Sequence, residues 1–100
     1  MAWTIFTVPS ERRSELDAVL RDDVVSRQSQ KLRDGPSVGA AAATTVVLIE
    51  GGAEGVQRAE GLLGPVGTRL AGADAERLYR RLKDEEESAS AGMGLFFTEE

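Results

Sequence analysis

The side chains that most often bind metals, attack electrophiles or move protons near neutral pH are missing, since the chain of 100 residues holds no histidine and no cysteine. Carboxylates, hydroxyls, one tyrosine and a population of arginines remain. They form no recognisable catalytic constellation, so no catalytic residue, metal or cofactor is expected. Three places still gather groups able to do chemistry. At the turn Gly51-Gly52-Ala53-Glu54-Gly55, free amides at a helix start, beginning with Gly51 and Gly52, can hold a phosphate or carboxylate. The turn lacks P-loop spacing, however, and Glu54 supplies its own negative charge. Ser26 to Lys31 collects hydroxyl, amide and cationic donors; Arg27 is the expected anchor because a guanidinium binds bidentately, and Ser29 adds a hydroxyl. Glu86 continues the apolar stripe of Leu78, Leu82 and Ala89, which puts a carboxyl near the core. There it either takes a raised pKa suited to proton transfer or pairs with an arginine. The plainer readings are a tight turn, exposed helix surface and an ion pair, and they are favoured. Asp84 to Glu87 cannot converge on one cation, because consecutive helical residues point around the axis. Tyr79, at a helical core position, is expected to pack with its hydroxyl at the rim.

The elements that must position these groups follow from pattern. Trp3 to Val8 is aromatic and β-branched and stops at Pro9, which predicts a strand. Ser10 is placed to cap a helix whose face carries Leu16, Val19, Leu20 and Val24, with a far end that either continues toward Arg33 or breaks and restarts. Asp34-Gly35-Pro36 breaks the chain, and the alanine-rich stretch after it reads as loop. Thr44 to Glu50 is apolar on both faces and belongs inside a sheet. A short helix over Ala53 to Leu63, a short strand over Val66 to Leu70, a helix capped by Asp74 and a last strand over Leu95 to Thr98 complete the order βαβαβαβ.

The expected architecture is one α+β domain over residues 1–100: a two-layer sandwich with a mixed four-stranded sheet, near the ferredoxin-like group. Trp3 and Ile5 point opposite to Phe6 and Val8, and Phe96 opposite to Phe97, so apolar groups stand on both sheet faces. Helices on one face leave the other bare, and the expected cover is a second copy. Trp3, Ile5, Phe96 and Phe97 are the expected homodimer interface.

A formal net charge of -5 disfavours nucleic acid and anionic membranes as partners. No apolar run is long enough to span a bilayer, and the absence of disulfides and of a secretory signal pattern makes the cytoplasm the expected compartment. Val47-Leu48-Ile49-Glu50-Gly51, Ala59-Glu60, Leu82-Lys83-Asp84-Glu85-Glu86 and Ala91-Gly92-Met93-Gly94 resemble segments of small prokaryotic, chiefly archaeal, α/β proteins. That resemblance implies no activity. The expected function is a non-enzymatic, self-associating domain that binds a protein partner or small ligand. The alternative is a small enzyme or anion-binding protein built on Arg27, the amides after Gly51 and Glu86.

Overall fold

The two apolar strands legible in the sequence lie side by side at the middle of one sheet. The computed structural model describes residues 2–84. β1 (Ala2–Pro9) pairs antiparallel with β3 (Thr44–Gly51) along its whole length, from Ala2 opposite Gly51 to Pro9 opposite Thr44. β2 (Ser29–Asp34) borders β3, and the two-residue β4 (Thr68–Arg69) borders β1, giving the order β2-β3-β1-β4 with every pairing antiparallel. The helices are α1 (Arg13–Leu20), α2 (Ala53–Leu63) and α3, residues 72–84.

Strand alternation sends side chains to two separate cores. On the front face Phe6, Val8, Val47 and Ile49 pack with Leu16 of α1 and Ala59 and Leu63 of α2. On the rear face Ile5, Val46 and Leu48 pack with Val38, Leu78 and Leu82. Leu78 and Leu82 stand one helical turn apart on α3, so the chain's own third helix covers the rear of its own sheet.

Four expectations change. The sheet is antiparallel where it was read as mixed. Helices lie on both faces, so the sandwich has three layers rather than two. Ser29–Asp34 forms an edge strand where the helix was allowed to continue, and within the described residues strands and helices run β1-α1-β2-β3-α2-β4-α3. Lastly, the premise that a lone copy cannot clothe its rear face does not hold. Ile5 is fully buried under α3, and among the described residues Val24, 37 % exposed, is the large apolar side chain left in the open. Ile5 is therefore core rather than interface. Phe96, Phe97 and the strand read over Leu95 to Thr98 lie outside the described residues.

Local chemistry explains the departures. Ser29-Gln30-Lys31-Leu32-Arg33-Asp34 carries one aliphatic residue and no β-branched one, so its extended form comes from pairing with β3 rather than from propensity. Gln30 reinforces the turn into it by donating to the carbonyls of Leu20 (3.0 Å) and Val25 (3.2 Å). Ser10 makes no side-chain cap; its backbone N–H donates to Ala43 O at 2.8 Å and ties the start of the helical segment to the loop before β3.

Candidate functional site

Antiparallel register aligns Ser29, Glu50 and Trp3 across three strands at one end of the rear face. Residues opposed in this way share a face, and α3 lies over it. Tyr79 and Lys83, four residues apart on α3, both reach Glu50. The Tyr79 hydroxyl donates to Glu50 Oε2 at 2.6 Å, and Lys83 Nζ donates to Oε1 at 3.2 Å. The Tyr79 ring stacks on Trp3 with centroids 4.3 Å apart and planes 16° from parallel, while Lys83 Nζ stands 5.9 Å from the Tyr79 centroid. Glu50, 7 % exposed, is thus a nearly buried carboxylate with both oxygens bonded.

The electrostatics hold this cluster in one protonation state. Burial by itself would raise the Glu50 pKa, but the hydrogen bonds from Tyr79 and Lys83 and the charges of Lys83 and Lys31 outweigh it and bring it below 4.5. The bond to Glu50, followed by burial, pushes the Tyr79 phenol above 10.0. The acid and the phenol are displaced away from neutrality in opposite directions. A proton-transfer pair needs values near the working pH, and this pair has the reverse. What the arrangement does well is fasten a helix to a sheet.

The residues anticipated as an anion site meet in part. Ser29 lies on β2 opposite Glu50, Gly51 ends β3, Gly52 leads into α2, and Arg27 sits in the 3-10 turn just before β2, so these four share one end of the sheet. Glu86 lies outside the described residues. The slot above the glycines is already filled, because the Gln28 carboxamide packs against Gly51 and Gly55 so closely that a Cβ at either would overlap it. Gln28 Nε2 also donates to Val24 O at 3.0 Å. Arg27 points outward and pairs with Asp23 at 3.4 Å, both strongly exposed. Gln28 thus closes the space at Gly51 and Gly55, while the space beside Gly52 is open.

The groups that matter more were passed over as chemistry. Glu50 is the single charge in an otherwise apolar and hydroxyl-bearing strand, and Tyr79 and Lys83 have the spacing of neighbours on one helix face. Those were the available signals. A second cluster follows along β2. Lys31 and Arg33 share the rear side of that strand with Ser29. Lys31 lies near enough to act on Glu50, and Arg33 borders a cleft of about 350 Å³ at the β2 edge with Arg13, Asp34 and Ser37. Arg81 of α3 donates to Ser37 O at 3.3 Å. Lys31, Arg33, Arg81 and Lys83 therefore rim one side of the rear face, with Asp34 and Asp84 as acidic neighbours at the ends of β2 and α3.

Among the described residues no group of acidic side chains is placed to hold a metal ion, and no helix is long and apolar enough to cross a membrane. No protein-family model, no curated protein and no solved structure matches the chain.

Proposed function

We propose that this chain is a non-enzymatic binding domain of ferredoxin-like topology that engages an acidic segment of a protein partner along the β2 side of its sheet. The element order β1-α1-β2-β3-α2-β4 with the sheet order β2-β3-β1-β4 supports the topology. The observation that carries the non-enzymatic part is the Glu50–Tyr79–Lys83 cluster: both Tyr79 and Lys83 bond the Glu50 carboxylate, and the Glu50 acid and the Tyr79 phenol are driven away from neutrality.

The choice of surface follows from what the other described residues leave uncovered. Both sheet faces carry helices, whereas β2 is an edge strand with no strand on its outer side among the described residues. Leu70 N donates to Ile5 O, so odd-numbered β1 residues turn their amides toward β4, and alternation across the unbroken register turns those of Gln30, Leu32 and Asp34 outward. Pairing β2 with itself in a second copy sets Lys31 against Lys31, or Lys31 against Arg33, in the two registers of greatest overlap, and like charges opposed across strands repel. Arg33 also guards the edge by donating to Leu32 O at 2.7 Å. The edge therefore disfavours a second copy and suits an acidic strand, so self-association loses its motive while partner binding keeps one.

The test is a titration of the full, isotopically labelled chain with a short peptide alternating glutamate and valine, beside a control alternating lysine and valine. Shifts of the Gln30 to Asp34 amides with the acidic peptide alone are expected. Equal response to both peptides, or none at millimolar concentration, contradicts the proposal.

A further inference from the structure

The net charge of the chain is unevenly placed. All twelve cations fall within residues 2–84, where twelve carboxylates balance them, so the whole -5 belongs to Glu85, Glu86, Glu87, Glu99 and Glu100. An electrically neutral body is thus followed by sixteen residues with five carboxylates and no cation.

Where the described body ends decides what that charge meets. Three contacts fix the course of α3: its beginning, Gly72 and Ala75, borders the cleft against Trp3 and Ile5 of β1, and its last turns reach Ser37 through Arg81 and Glu50 through Lys83. The helix crosses the rear face from the β1 side toward β2 and stops at Asp84, beside the rim of Lys31, Arg33, Arg81 and Lys83. Glu85 to Glu87 follow at once. At roughly 3.3 Å per extended residue, the sixteen residues have more than the length of the six-residue β2 at their disposal.

We propose that the acidic C-terminal segment, residues 85–100, is an intramolecular competitor for the cationic β2 side, a tethered strap that an outside acidic partner must displace. The proposal rests on the binding surface named above and adds its regulation. Charge complementarity selects this occupant over a second copy, for which the same edge opposes cation to cation. Tethering gives the segment an effective concentration in the millimolar range without any requirement for high intrinsic affinity. The attraction is between solvent-facing charges, so salt must weaken it.

The experiment compares the full chain with its E85Q/E86Q/E87Q variant, which changes nothing within the described residues. Amide shifts of Lys31 to Arg33 are read at low and high salt, and affinity for the glutamate–valine peptide is measured on both chains. Charge removal is expected to shift those amides and to tighten peptide binding about tenfold at low salt, as expected when a tethered competitor is lost. The gain should vanish at roughly 0.5 M salt, where the screening length falls to a few ångströms. Shifts on charge removal without any peptide binding uphold the strap and defeat the binding proposal; peptide binding of equal strength to both chains with unmoved β2 amides defeats the strap alone. A contact whose shifts grow with protein concentration belongs to a neighbouring copy and also overturns the strap. A K31Q/R33Q chain serves as a second check, because with the cations gone the Glu-to-Gln changes must produce no shift.

Discussion

Tyr79 donates its phenolic proton to Glu50 across the boundary between α3 and the central strand β3, and the same ring lies flat on Trp3. One side chain thus joins the helix to two strands. Tyr79→Phe keeps the stack and loses a bond to a charged acceptor, so it should lower unfolding stability by about 1–2 kcal/mol in urea titration. Trp3→Ala combined with Tyr79→Ala in a double-mutant cycle should show a coupling of about 0.5–1.5 kcal/mol. Because the chain holds a single tryptophan and a single tyrosine, their fluorescence and absorbance report this contact without interference.

Stability should fall at both ends of the pH scale for different reasons. Asp22 is held at about 2, chiefly by its hydrogen bond from Arg58 and also by the backbone N–H groups of Val24 and Val25. Its carboxylate and that of Glu50 are depressed in the folded chain. Their contributions are therefore present above the ordinary values of 3.8 and 4.5 and are lost on acidification, for Asp22 as the pH drops through about 2. Tyr79 is raised, so its contribution is complete below 10.0 and disappears as the pH climbs through its higher folded value. Urea midpoints across pH should trace a plateau with two shoulders. Asp22→Asn should flatten the acid shoulder and Tyr79→Phe the alkaline one; an unchanged alkaline limb in Tyr79→Phe would contradict the assignment.

Gly55 lies inside α2, where alanine ordinarily gains about 1 kcal/mol over glycine. Here the Gln28 carboxamide occupies the position of the new methyl group. The carboxamide ends a flexible side chain and can swing aside at the cost of its bond to Val24 O, so Gly55→Ala should gain less than the ordinary amount in thermal unfolding. Combined with Gln28→Ala the gain should approach the full value, and an unchanged Gly55→Ala effect in the Gln28→Ala background would show that Gln28 does not fill the slot.

Thr4 is 2 % exposed, and its Oγ1 is the one buried side-chain polar atom without a hydrogen-bond partner among the described residues. An unpaired buried hydroxyl costs about 1–3 kcal/mol. Thr4→Val keeps the shape and β-branching and removes that group, so urea unfolding should show equal or greater stability.

Much of the scaffold was legible because its signals are local. β1 and β3 announced themselves through Trp3 to Val8 and Thr44 to Glu50, and α2 was bracketed by Gly52 and Gly64. β2 was not legible, because an edge strand such as Ser29 to Asp34 meets water on one border and carries cations that also suit a helix surface. The stripe of Ala75, Leu78 and Leu82 on α3 was read correctly, but periodicity says that a helix has an apolar side and not which sheet face receives it. That question is settled by chain path. The two-residue β4 and the turn at Gly72, where φ is +61°, begin α3 at the β1 edge and send it behind the sheet. The cluster at Glu50 could not be assembled from its separate signals for the same reason: its partners lie 29 and 33 residues away.

The account's central claim is that α3 completes the rear face within one copy, and light scattering on the full chain during size-exclusion chromatography tests it most directly. At concentrations on the order of tens of micromolar, where a dimer formed by burying a bare apolar sheet face would persist, the predicted mass is that of one chain, 10.7 kDa. A stable species of twice that mass would contradict the claim.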